Sequence, residues 1–445
     1  MERFLLCHPL KTISGQIQDY GTINKQQGEN MSDNVLASKA KGLYQILCQD
    51  NWGKNTVAIL VALLSILMLA WDRPWGAVGA VRNWGEWIIY GTGLWDLLGF
   101  ADVYDSDTPK AFLTHTGSVI GIGFIGGAFL SACLGGNFAL RIPPKLEMVK
   151  AVFAGIFMGA GATLAGGCNV GGFYNAIGNL SAHGFAMMAG LIIGAILGLK
   201  YVYWEMENIS WGASGGKTIN LPGALQILLG IATLAALLIG AYTYTNGDIE
   251  KLGGVLLITA LLGYAFQRGR WCMIQGFREP HMTGNAKMAK SIALSIVILA
   301  IGIAIIKSKY IGLSDMNGNS MDYFWKHYVR GTFGWGGVVG GILFAFGAIQ
   351  AGGCGTGTLW RVGEGQIKLW IVTPFFGMAC AVGSMLSKKY NWEGSIEEGS
   401  SLGSYVYLPH LFGYSGTLAL IFLIMAVWYL IVAWNEETNK LMLEM

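Results

Sequence analysis

Charge is scarce in this chain. Of its 445 residues, 12% are Asp, Glu, Lys or Arg, about half the ~25% usual in soluble domains. The basic residues are scattered and do not gather on one face, so nothing points to nucleic acid. Asp, Glu and His are nearly missing from the apolar stretches. That counts against a proton relay built on a carboxylate chain; Glu364 and His183 are the only weak candidates for one. There is no CxxC pair, and no Cys or His stands at metal-ligand spacing, so no metal is expected. The stretch GCGTGT is not a phosphate loop, because no Lys follows and no strand precedes it. No cofactor is expected. Residues 1–50 lack the apolar core of a secretory signal, and Met31 after a Gln- and Asn-rich stretch is an alternative start.

What is present is apolar. Hydrophobic residues make up 53% of the chain, and mean hydropathy is +0.48. Glycine occurs 66 times without a Gly-X-Y period, which excludes collagen. A bilayer-spanning helix needs about 20 mostly apolar residues. Ten runs qualify: 55–71, 116–139, 149–165, 184–204, 222–244, 252–267, 290–307, 333–350, 366–386 and 413–434. The fold class is therefore an all-α polytopic membrane protein in a lipid bilayer. The runs 149–165 and 333–350 are short and Gly-rich, and read as broken or re-entrant helices.

The remaining segments fill in the organisation. Residues 1–50 read as an N-terminal cytoplasmic tail. The Trp-rich link 72–115 reads as an interfacial, amphipathic anchor on the outer face, and 388–412 as a second polar link. Basic residues in short loops set orientation. Placing 140–150 and 268–290 inside puts both termini in the cytoplasm, although 307–332, with Lys307, Lys309, Lys326 and Arg330, then faces outward.

One motif occurs twice. GATLAGGCNVG (161–171) and GAIQAGGCGTG (347–357) agree at seven of eleven positions, and Gly155 aligns with Gly341. Each half therefore repeats one unit, 51–220 with its outer link and 221–445 with a C-terminal helix and tail. Five spans separate corresponding points, and an odd number inverts the second copy. Inverted repeats in transporters place the substrate between the halves near the midplane.

The residues of the motif have physical reasons. Small residues let backbones approach and let irregular chain pass between helices. Where a helix resumes after Gly-Gly-Cys, free N–H groups attract anions. A membrane cysteine is usually only a small apolar residue, and Cys133 and Cys380 are read so; Cys7 and Cys48 are assigned nothing. Cys168 and Cys354 stand apart because the repeat puts both at one equivalent point. A third candidate is QRGRWCMIQGFREP (267–280), with Cys272 among Arg268, Arg270 and Arg278. Guanidinium charge favours a thiolate and draws anions, but these arginines also fit ordinary inside-loop charges. Arg361, at the position of Asn175 in the first copy, could guide an anion or cap a helix.

The doubled A-G-G-C-x-x-G, with R-x-x-W-C and G-F-R-E, resembles the YeeE/YedE sulfur-transport family, over residues 116 to 386. The resemblance implies an inner-membrane transporter, not an enzyme, that moves thiosulfate or a related sulfur anion inward past three cysteines. By motif these are Cys168, Cys354 and Cys272, with Gly166, Gly167, Gly171, Gly352, Gly353, Gly357, Arg268 and Arg278 along the path. A cytoplasmic sulfur-carrier protein is the partner such a transporter implies. R-x-x-W-C has no first-half counterpart, and the long form also resembles members linked to selenium. The alternatives are a selenium-species transporter and a membrane sulfurtransferase using persulfide chemistry.

Overall fold

The computed structural model describes residues 37–209, 215–247, 249–311, 327–392, 394 and 399–443. Cys7, Met31 and Lys326 lie outside them. The chain divides into two units, residues 1–47 and 48–445. The described part of the first is helical. All that follows concerns the second.

Its helices are α1 (Lys54–Trp71), α2 (Ala77–Gly91), α3 (Thr116–Leu134), α4 (Lys145–Leu164), α5 (His183–Asn208), α6 (Gly223–Thr245), α7 (Lys251–Gly269), α8 (Met273–Met282), α9 (Lys287–Ile306), α10 (Trp335–Ala351), α11 (Gly355–Gly363), α12 (Ile367–Lys389) and α13 (Leu408–Thr438). The strands β1 (Ala139–Ile142) and β2 (Lys217–Asn220) pair antiparallel. Among the described residues, ten helices or broken helices are long and apolar enough to cross a membrane. They match the ten runs read from composition, because hydrophobic length is a local property.

The two copies of the motif are related by an inverted two-fold. A Cβ on Gly161 of α4 would lie 2.6 Å from Gly340 O of α10. A Cβ on Gly347 of α10 would lie 2.7 Å from Ala154 O of α4. One shift of 186 residues, 347 − 161, turns the first contact into the second. The outer contacts follow the same shift to within one residue: Gly155 packs on Val372 and Phe376 of α12, and Gly341 on Met187 and Gly190 of α5. The contacts also run in opposite directions, since Met158 meets Gly347 whereas Ala165 meets Gly340. Helices α4 and α10 are therefore antiparallel, and the axis relating them runs across both. Glycine is needed there because main chains this close leave no room for a side chain.

Three expectations from composition are corrected. The link 72–115 does not merely rest on the bundle. Its helix α2 packs on α12 and α3, with Ala77, Ala80, Val81, Asn83, Gly85 and Glu86 buried. Gly85 and Gly377 bring the two backbones together. Tryptophan marks the interface only on average, and here Trp75 and Trp95 are core residues. The stretch 268–290 is not a basic loop either. After α7 the chain turns at Arg270, at φ 45°, and re-enters as α8, with Trp271 and Cys272 buried. Lys307 is likewise no loop charge: its buried ammonium donates to Asn179 O at 3.0 Å and His327 O at 2.8 Å.

Candidate functional site

Three helix breaks carry the site. In the first, α4 stops at Ala165, and Gly166 turns left-handed at φ 75°. Cys168 then opens a π-helical turn over Asn169–Tyr174. In the second, α10 stops at Gly352, at φ 81°, and Cys354 caps α11. At Gly166 and Gly352 an L side chain would be strained.

The main-chain bonds around the two cysteines coincide. Gly167 N–H donates to Ala162 O at 2.8 Å and Gly353 N–H to Ala348 O at 3.0 Å. Gly172 N–H donates to Cys168 O and Thr358 N–H to Cys354 O, each at 2.6 Å. The halves thus present their thiols on one backbone template. In the second half the Cys354 Sγ also accepts the Gly357 N–H at 3.2 Å.

The thiols meet. Cys272, from the third break, places its Sγ 3.5 Å from Cys354 Sγ. Cys168 lies against Gly355, where a Cβ would come within 3.2 Å of its Sγ. A Cβ on Gly357 would lie 2.8 Å from Cys272 Sγ and 3.1 Å from Cys354 Sγ. All three cysteines are free and fully buried. Gly353 packs on the Arg361 guanidinium, Gly171 on the Tyr328 hydroxyl, and Gly166 on the stem of Arg330, while Gly167 closes on Gly172.

The arginines divide. Arg361 Nη1 points at Cys272 Sγ, 3.9 Å away, and its guanidinium stacks over Trp360. Arg361 and Arg278 supply the nearby positive charge at Cys272, and Arg278 Nε is buried without a hydrogen-bond partner. Arg268 is placed differently. It is fully buried and spends its donors on Ser131 Oγ and O, Gln267 Oε1 and Cys48 O. It ties α7 to α3 and to the segment before α1. Arg361 is the arginine directed at a thiol. Its position after the second Gly-Gly-Cys hinted at this, but Arg268 and Arg278 stood nearer to Cys272 in sequence.

The loop before α10 contributes Tyr328 and Arg330 to the first break, which nothing in the sequence signalled. Asn169, next to Cys168, is fully buried with neither amide atom hydrogen-bonded. Thr358 Oγ1 is in the same condition. An anion beside the thiols would find unspent donors in this neighbourhood. The weak candidates are otherwise engaged: Glu364 pairs with Arg270 and Arg141, and His183 with Ser181. Cys380 faces Gly159 O, and Cys133 is buried between α3 and its neighbours.

A family model described as sulphur transport matches residues 18–197 and 268–444. The chain is similar to the probable transporter YedE of Salmonella typhimurium, 28% identical over 401 residues, which are 87% of this chain and 93% of that protein. It is similar to the Escherichia coli protein of the same name, 28% identical over 377 residues, 82% of this chain and 87% of the other. It is also similar to the thiosulfate transporter TsuA of Escherichia coli, 36% identical over 129 residues, 28% of this chain and 32% of TsuA. Because the family match runs through both copies of the Gly-Gly-Cys break, the chain belongs to the sulphur-transport family, that of YeeE and YedE.

Proposed function

We propose that this protein carries thiosulfate, or a related small sulfur-containing anion, across the inner membrane between the halves 51–220 and 221–445. The path runs past Cys168, Cys354 and Cys272 and the glycines 166, 167, 171, 352, 353 and 357. The observation that carries this reading is the convergence of the thiols: Cys168 touches the turn that holds Cys354, and Cys354 touches Cys272. The likeness to a thiosulfate transporter supports the substrate.

The chemistry suits passage. A thiol is a weak donor and a weak acceptor. A chain of weak sites lets an ion enter and leave, whereas one strong site would trap it. Arg361 and Arg278 lie on the Cys272 side, and Arg330 beside Gly166. Positive charge near both breaks offsets part of the cost of bringing a dianion into a low-dielectric interior. Irregular backbone at membrane depth is tolerated where it is packed in protein or lines a cavity.

The test is uptake of labelled thiosulfate into proteoliposomes, with sulfate and selenium oxyanions as competitors. Cys168→Ala and Cys354→Ala abolish uptake while expression and folding persist. Normal uptake in both variants removes these thiols from the path. Better competition by a selenium oxyanion than by thiosulfate reassigns the substrate.

A further inference from the structure

The inverted repeat accounts for one thiol in each half, Cys168 and Cys354. It does not account for Cys272, whose R-x-x-W-C context has no counterpart in the first half. Yet the third break delivers Cys272 Sγ to 3.5 Å from Cys354 Sγ. A bare conduit does not require two of its thiols to be in contact, and that contact has a chemistry of its own.

We propose that Cys272 and Cys354 are an oxidation site, at which a small hydroperoxide converts the two thiols into a disulfide that closes the conduit. The groups needed are in place. The Arg361 guanidinium donates toward Cys272 Sγ at 3.9 Å, and the thiolate is the form of a cysteine that attacks a peroxide. Cys354 Sγ accepts the Gly357 N–H at 3.2 Å, which holds the second sulfur in place beside the first. The sulfurs must close by about 1.5 Å to reach the ~2.05 Å of a disulfide. Gly357 leaves the space beside both of them free, because a Cβ there would lie 2.8 Å from one sulfur and 3.1 Å from the other. Hydrogen peroxide is smaller than thiosulfate, so a route that admits the anion admits the oxidant.

The reaction balances. The Cys272 thiolate attacks one peroxide oxygen; the O–O bond breaks, an S–O bond forms, and the departing hydroxide takes up the thiol proton as water. The Cys354 thiolate then attacks the Cys272 sulfur. An S–S bond forms, the S–O bond breaks, and the second hydroxide leaves as water with the Cys354 proton. Two thiols are oxidised by two electrons, and one peroxide is reduced to two waters. Closure follows because the linked sulfurs are drawn across the path and no longer offer S–H groups to a passing anion.

The oxidant's access to the buried pair and the flux arm of the test both rest on the proposed transport path, whereas the peptide masses read the pair directly. Reduced full-length protein in proteoliposomes is treated with hydrogen peroxide, quenched, alkylated with N-ethylmaleimide, digested and weighed. The expected product is a cross-linked peptide pair joining residues 272 and 354, lighter by two hydrogens and cleaved by dithiothreitol. Thiosulfate uptake is lost on oxidation and regained on reduction. Cys354→Ser forms no such link; its Cys272 instead stops at a sulfenic acid that dimedone traps. Recovery of Cys272 and Cys354 as separate alkylated or over-oxidised residues overturns the proposal, as does full uptake by cross-linked protein. Absence of uptake before any oxidation would count against the transport reading, while the peptide masses would still decide whether the pair reacts.

Discussion

Cys168 of the first half lies against Gly355 of the second, the residue that follows Cys354. A methyl group on Gly355 would come 3.1 Å from Cys168 Cβ and 3.2 Å from its Sγ, tight but short of a clash. The two Gly-Gly-Cys breaks therefore touch, and under the proposed transport small changes there should separate flux from folding.

Gly355→Ala is expected to lower thiosulfate uptake strongly at a stability cost of about 1 kcal/mol, the low end for overpacking, since the neighbours need to give by only a few tenths of an ångström. Gly357→Ala is expected to lose uptake and to cost about 1–3 kcal/mol, because its methyl would overlap the Cys272 sulfur. Melting temperature in detergent and flux in liposomes check both. Undiminished flux in Gly355→Ala would take Cys168 out of the path.

The two-fold makes a quantitative claim about stability. Gly161 and Gly347 occupy interchangeable positions, each meeting the facing main chain. Gly161→Ala and Gly347→Ala should destabilise by similar amounts, about 1–3 kcal/mol each. Thermal unfolding of the two variants side by side is the measurement, and a large effect at one position with none at the other contradicts the symmetric packing.

Glu364 ends α11 with its side chain fully buried. One carboxylate oxygen meets Arg270 at 3.1 Å and Arg141 at 3.6 Å, and the other accepts from Gln366 at 3.1 Å. Both arginines are partly exposed, so water screens them when the carboxylate is removed. Glu364→Gln is expected to cost about 1–3 kcal/mol. It also loosens the strap from α11 to the turn before Cys272. The checks are the melting temperature and the rate at which Cys272 is alkylated, which should rise as the turn loosens.

His115 caps α3, its Nδ1 accepting the Ser118 N–H at 3.3 Å. That role needs an unprotonated nitrogen. Burial first, and then the charges of Arg82, Lys110 and Arg73, push its pKa down from 6.5 to about 4. Below 6.5 the unfolded chain takes up a proton that the folded chain refuses. The stabilisation is complete above 6.5 and is lost as pH falls toward 4. Wild-type melting temperature should drop from about pH 7 to about pH 5, and His115→Asn, which keeps a capping group, should drop less. Equal slopes would show that His115 does not titrate in this window.

Much of the fold was legible because it is local. A run of about 20 apolar residues crosses a bilayer wherever it stands in a chain. Glycine pairs break helices through their own φ preferences, and the repeat of 161–171 at 347–357 set the inversion by counting spans. The errors came where local character misleads. Tryptophans in 72–115 read as an anchor, but α2 is drawn into the bundle by Gly85 against Gly377. Basic residues in 268–290 read as a loop, but Arg268 is buried and Cys272 sits in the core.

By itself the sequence determined the number of spans, the two Gly-Gly-Cys breaks and their opposite senses, since hydrophobic length and backbone freedom belong to each residue and its near neighbours. Only the tertiary structure decided that Cys272 touches Cys354 across 82 residues and that Arg361 turns toward a thiol while Arg268 is spent on Ser131 and Cys48. The partner of a side-chain tip depends on which distant helices pack together, and charge or spacing along the chain does not encode that.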